Sequence, residues 1–269
     1  MEDRTLENAA FEGKVVLVAA SSVGLGFGIA QAVARKGGKV ALASRTRETI
    51  DEAAVALRDS TGSEAQGYVM DATSPDSIAK WIEDAHTHFG RIDGLVVNAG
   101  GPPAGKFDKF SDEDWQNGFE LTLMSAVRMI RGVLPIMRAQ GSGSIVTITS
   151  SSIKEPIDIL LLSNVFRSGV VSLVKSLSSD LAAEEIRINN LVPGQIDTDR
   201  VRSNDIFKSD QLGVPLEDWQ EKRKAMIPMG RYGTIEEFGE AGAFLLSDAA
   251  RYVTGATLMV DGGKSKTVW

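Results

Sequence analysis

The chain contains no cysteine and only two histidines, His86 and His88. The first absence excludes disulfides, a thiolate nucleophile and a Cys-ligated metal. The second argues against a histidine-rich metal site. No apolar run approaches the roughly 20 residues of a membrane-spanning helix. Positive charge is also in short supply: 29 Lys and Arg stand against 36 Asp and Glu, for a formal net charge of -7. The basic residues are scattered, so neither nucleic acid nor an anionic membrane surface is expected as a partner. The N-terminal stretch MEDRTLENAAFEG is polar and acidic, unlike a secretory signal. A soluble cytoplasmic protein is the expectation.

What the chain does have is length and a regular apolar rhythm. Its 269 residues, 43% hydrophobic and 24% charged, suffice for a sizeable core. Lys14 to Ala20, Lys39 to Ser44, Asp93 to Asn98 and Gly143 to Ser150 are short apolar runs, as expected of strands buried on both faces, and the rhythm places a further strand near 65–70. Between them lie amphipathic stretches: Ile29 to Arg35, a helix near 47–59, and one opened by Ser74 as N-cap with Pro75 at its first position. A further helix is expected around 163–181. Strands alternating with helices imply βαβ units and a parallel sheet covered on both faces. No linker divides the chain, so one domain over 1–269 is predicted. Residues 199–227, rich in Asp, Lys and Arg, read as an irregular excursion, either a lid over a site or a mobile surface segment.

The first strand is followed by Ala19-Ala-Ser-Ser-Val-Gly24-Leu-Gly26. Glycines where a strand turns into a helix let backbone amides approach a pyrophosphate. They also suit tight strand–helix packing, and only their position after the first strand favours phosphate. The second strand ends in Ser44-Arg45-Thr46. An acid there would bind ribose hydroxyls, whereas Arg45 fits a 2′-phosphate and favours NADP(H) over NAD(H). Arg47 adds a second positive charge; a solvated basic loop is the alternative. Asp71 suits an adenine amino group or the start of a helix. Asn98-Ala-Gly100-Gly101 places small residues at a strand C-terminus, the edge where open α/β sheets bind ligands.

Together these motifs resemble the short-chain dehydrogenase/reductase family, in particular a subgroup similar to β-ketoacyl-acyl-carrier-protein reductases. The resemblance runs from about Gly13 to the C-terminal end. Ala19 to Gly26 is similar to the family's glycine-rich turn, Asp71-Ala-Thr to its adenine segment, and Phe89 to Gly100 to its fourth-strand signature. Val192-Pro-Gly-Gln-Ile-Asp-Thr198 resembles the nicotinamide loop. Pro228 to Arg231 and Tyr252 to Gly263 resemble the C-terminal end. The family implies a three-layer, doubly wound Rossmann fold of the α/β class, with a seven-stranded parallel sheet, and commonly a homotetramer, with a homodimer as the other expectation. It implies cofactor contacts from Ala20, Ser22, Gly24, Leu25, Gly26, Arg45, Asp71, Ala72, Asn98, Ala99, Gly100, Arg167, Pro193, Gly194, Ile196 and Thr198.

The same resemblance exposes a departure. The family implies a catalytic Asn, Ser, Tyr and Lys. By spacing, the serine is Ser150, but the tyrosine position holds Ser163, the lysine position Arg167 and the asparagine position Thr122. The turn's first glycine is Ala20. None of Tyr68, Tyr232 and Tyr252 is followed four residues later by Lys. A serine hydroxyl is far less acidic than a phenol, and an arginine effectively never gives up its proton. The proton would then come from a water beside Ser150 or Ser163, or from Lys154. As a structural cation Arg167 would pair with Asp158 or Glu155. Two functions remain open. One is an NADP(H)-dependent oxidoreductase acting on a carbonyl or alcohol with a non-standard proton donor. The other is a weak or inactive NADP(H)-binding pseudoenzyme serving as a sensor or assembly partner.

Overall fold

A computed structural model describes residues 9–268, so most of the acidic N-terminal stretch lies outside the described residues. Seven parallel strands form one sheet: β1 (Val15–Ala19), β2 (Lys39–Ser44), β3 (Ala65–Val69), β4 (Gly94–Val97), β5 (Gly143–Ile148), β6 (Ile186–Pro193) and β7 (Thr257–Val260). Their spatial order is β3-β2-β1-β4-β5-β6-β7. The chain builds outward from β1 to β3 and then crosses back to β4. This reversal opens a crevice between the C-terminal ends of β1 and β4, where open α/β sheets take ligands.

The helices are α1 (Gly24–Arg35), α2 (Arg47–Thr61), α3 (Pro75–Phe89), α4 (Asp112–Phe119), α5 (Ser125–Gln140), α6 (Leu161–Ala182), α7 (Asp199–Leu212), α8 (Leu216–Ala225) and α9 (Ile235–Leu246). Strand residues alternate between two apolar layers. Val16 and Val18 of β1 pack with Ile29 of α1, Ile50 of α2 and Phe238 of α9. Val15, Leu17 and Ala19 pack with Trp81 of α3, Met129 of α5 and Val170 of α6. This double burial is why β1 reads as an unbroken apolar run. The Ser74 cap forms as expected, its hydroxyl accepting from Ser77 N at 3.2 Å ahead of Pro75.

Two expectations need correction. Residues 199–227 are not irregular: α7 and α8 occupy most of that stretch. Their sequences carry no apolar stripe. The buried positions of α7 are the polar Asp205 and Ser209, one turn apart, and α8 buries nothing. Helical periodicity was therefore invisible to an apolar pattern. Second, β5 ends at Ile148, so Ser150 lies beyond the strand and caps a short 3-10 turn, Ser151–Ile153.

Candidate active site

The turn after β1 is built for an anion. Gly24, at φ +68°, opens α1, and its N-cap residue Val23 supplies no side-chain hydrogen bond. The first amides of α1, from Gly24, Leu25 and Gly26, are thus left without a side-chain cap at the positive end of the helix. A Cβ on Gly26 would lie 2.7 Å from the Ala20 carbonyl oxygen and 3.2 Å from Asn98 Nδ2. That glycine serves close packing as well as phosphate access. Asn98 Nδ2 also donates to the Ala20 carbonyl at 3.2 Å, tying the ends of β1 and β4 together. Ala20 itself sits at φ 48°, a left-handed conformation that suits glycine. The half-buried Ser22 lies between them. Leu25 packs partly against the core.

Farther along the same edge, exposed Arg45 follows β2 and Asp71 follows β3. The Asp71 carboxylate accepts from the Thr73 amide at 2.9 Å and from the Thr73 hydroxyl at 2.8 Å. These bonds, with the charge of Arg45, hold its pKa below the usual carboxylate value. Asp71 therefore closes its own turn and faces Arg45, and Ser74 is the helix cap. Arg47 lies 3.4 Å from Asp51, with both side chains exposed. Ala72 packs against the core beside it.

Ser150, Ser163, Arg167 and Thr122 converge around the C-terminal end of β5. Ser163 and Arg167 stand one turn apart on α6, which brings their side chains together. Arg167 Nε donates to Ser163 Oγ at 3.1 Å. Its Nη1 donates to the Ile148 and Thr149 carbonyls at 3.0 and 3.3 Å. No carboxylate pairs with it among the described residues. Asp158 is exposed, and Glu155 instead accepts from the Lys266 amide at 3.3 Å. Burial, with the nearby charge of Arg200, pushes the Arg167 pKa down to about 10. The guanidinium stays protonated at neutral pH. Ser150 Oγ accepts from the Ser152 amide at 3.2 Å, which leaves its own proton free to donate. Thr122 lies in a single π-helical turn, Glu120–Met124, between α4 and α5. Such turns recur at functional sites. Its hydroxyl is buried and has no partner among the described residues. With Asn98, Ala99, Gly100 and Arg167 it lines a cavity of about 10 Å³, room for a single water.

The loop after β6 forms the far wall. Gly194 presses against the Asp261 backbone and donates its amide to the Val260 carbonyl at 2.9 Å. Pro193 ends β6, and Ile196 is buried and bridged to Gly233. Ile196 can therefore reach a ligand only through its backbone. Thr198 is the N-cap of α7, accepting from the Val201 amide at 3.3 Å.

No tyrosine stands beside Ser150. Tyr68 is on β3, its pKa pushed up to about 12 mainly by burial. Tyr252 is fully exposed. Tyr232 donates to Asp205 Oδ2 at 2.9 Å, and burial followed by that bond raises its pKa to about 12. Asp205, wholly buried, also accepts from Trp219 Nε1 at 3.1 Å and from Arg223. With its amide oxygen turned inward, Gln195 accepts from Arg223 Nη2 at 3.0 Å and Lys264 Nζ at 2.5 Å. This network joins α7, α8 and the β6 loop. No periodic signal marks Asp205 in the sequence, nor Arg200, which reaches from α7 to lie against Gly101.

Over residues 19–265 the chain matches the family described as enoyl-(acyl carrier protein) reductase. It is 34% identical over 260 residues to the 3-oxoacyl-[acyl-carrier-protein] reductase FabG of Escherichia coli (strain K12), covering 94% of this chain and 98% of that one. Among solved structures, L-sorbose reductase from Gluconobacter frateurii, complexed with NADPH and L-sorbose, superposes with a TM-score of 0.92 at 30% identity, covering 97% of this chain and all of that one. An NADPH-bound short chain oxidoreductase from Pseudomonas aeruginosa PAO1, described as containing an atypical catalytic center, superposes with a TM-score of 0.87 at 26% identity, covering 96% of this chain and 99% of that one.

Proposed function

The chain belongs to the short-chain dehydrogenase/reductase family of oxidoreductases, and within that family we propose that it reduces a small carbonyl compound with NADPH without a phenolic acid. The observation that carries this is Arg167, seated on the end of β5 and bound to Ser163 Oγ where the family pattern has a Tyr–Lys pair. Support for the dinucleotide comes from the uncapped amides of α1, Arg45 beside Asp71, and the small residues Ala99 and Gly100 at the end of β4. Bound along this edge, NADPH supplies the hydride.

The chain's own residues divide the remaining work. Gly24, Leu25 and Gly26 offer amides to the diphosphate, and Arg45 favours a 2′-phosphate. Pro193, Gly194, Ile196 and Thr198 form a pinned wall at the nicotinamide end. Ser150, its O–H left free by the bond it accepts, donates a hydrogen bond to the substrate carbonyl oxygen and holds it in place. Arg167 keeps a positive charge beside the oxygen that gains negative charge, and it polarises the Ser163 hydroxyl. A serine is too weak an acid to supply the proton alone, so solvent water held by Ser150 and Ser163 delivers it. Forgoing a strong general acid costs about 10²–10⁴-fold in rate, which favours an activated carbonyl. Helices α7 and α8 cover the substrate.

The test is NADPH oxidation over a panel of small ketones and diones. Ser150→Ala should lower kcat about 10²-fold while the NADPH Kd stays unchanged. An unchanged kcat removes Ser150 from the site. NADPH binding without turnover of any carbonyl would favour a nucleotide-binding pseudoenzyme.

A further inference from the structure

We propose that Arg167 and Arg200 together form an oxyanion receptor for a carboxylate on the substrate, so that the substrate class is an oxo acid with the carboxylate close to the reacting carbonyl. This rests on the hydride-transfer reading above. Arg200 belongs to the first turn of α7, where the helix dipole disfavours a cation. Its guanidinium lies against the Gly101 backbone: a Cβ there would be 2.7 Å from Nη2 and 3.0 Å from Nη1. The side chain thus spans from the β6 side of the cleft to the β4 side. Among the described residues it makes no ion pair. The neighbouring acids Asp197 and Asp199 are both engaged by Arg202, at 2.8 and 3.4 Å.

Arg167 is equally without a carboxylate, and it lines a cavity with Gly100, next in the chain to the Gly101 against which Arg200 lies. Two like charges held together, one of them at a helix N-terminus, are stabilised by a shared anion. Arg167 and the unpartnered, buried Thr122 hydroxyl line the same cavity. A guanidinium presents paired donors in a plane that match a carboxylate. The dinucleotide's diphosphate is the other possible source of an oxyanion. It has its own donors on the α1 turn after β1, whereas Arg167 sits at the end of β5. β4 lies between β1 and β5, a separation of about 10 Å at ordinary strand spacing.

The test compares matched pairs at saturating NADPH: 2-oxobutyrate against its methyl ester, and acetoacetate against its ethyl ester. The acid of at least one pair should be preferred in kcat/KM by about tenfold to a hundredfold. Arg200→Gln should abolish that preference by raising the acid's KM, with ester turnover and NADPH Kd within about threefold of wild type. Preference for both esters would overturn the proposal. So would a variant that weakens NADPH binding and lowers acid and ester alike, which assigns Arg200 to the diphosphate. If NADPH binds but no carbonyl is reduced, it is the hydride-transfer reading that fails. The receptor is then tested by calorimetric titration of oxalate and 2-oxobutyrate into the protein–NADP⁺ complex. Binding that Arg200→Gln abolishes supports it, and absence of binding overturns it.

Discussion

Replacing Asp205 by Ala should destabilise the α7–α8 region, by an amount the structure allows to be estimated. Asp205 is wholly buried and accepts from three donors: Trp219 Nε1, Arg223 and Tyr232 OH. Arg223 is itself largely buried, with 16% of its side chain exposed. Removing one partner of a buried pair leaves the other charge uncompensated, at a cost of about 3–5 kcal/mol. Two further donors lose their acceptor, at about 1–3 kcal/mol each in isolation. The three act through one carboxylate and are not additive, so about 3–5 kcal/mol is the expectation. For a chain of this size that lowers Tm by roughly 6–20 °C if α7 and α8 unfold with the rest. If they open separately, limited proteolysis should instead show faster cleavage within 199–227. Asp210→Ala, on the exposed face of the same helix, is the control and should change stability by less than about 0.5 kcal/mol. An Asp205→Ala protein within about 1 kcal/mol of wild type, with an unchanged proteolytic pattern, would refute the claim that this carboxylate holds α7 and α8 in place.

Two other substitutions follow from the cofactor edge. Ala20→Gly relieves a left-handed Cβ at φ 48°. Against the extra chain entropy of glycine it should stabilise by about 0.5–1 kcal/mol in urea denaturation; a destabilised protein would mean that Ala20 is not strained. Arg45→Asp should weaken NADPH binding much more than NADH binding in parallel fluorescence titrations, and equal losses would remove Arg45 from the 2′-phosphate site.

The parts of this protein that were legible in its sequence are those written in apolar residues and glycine. β1, β2, β4 and β5 stood out because they are buried on both faces, and β3, whose Gln66 and Tyr68 are half-buried, was placed by the rhythm of its neighbours. The first turn read correctly because Gly24 and Gly26 sit between a strand and a helix. The spacing of Ser163 and Arg167 placed them side by side on α6. What stayed hidden was written in polar residues or in the backbone. α7 buries Asp205 and Ser209 rather than leucines, so no apolar period marks it. The partners of Arg167 beyond Ser163 are the carbonyls of Ile148 and Thr149, which no sequence pattern displays. The structural-cation alternative looked to an acid, Asp158 or Glu155, because side chains are all that a sequence shows. Arg200 reads as one charge among many until the fold lays it against Gly101.

The central claim is that hydride leaves NADPH for a carbonyl in a site without a phenol. The most direct measurement is isotopic. Reduction of a reactive dione or oxo acid with NADPH deuterated at the transferring C4 position should place one deuterium on the new carbinol carbon. Ser150→Ala should slow that transfer while NADPH still binds. Tight NADPH binding with no deuterium in any product would contradict the account and leave the chain as a nucleotide-binding protein without turnover.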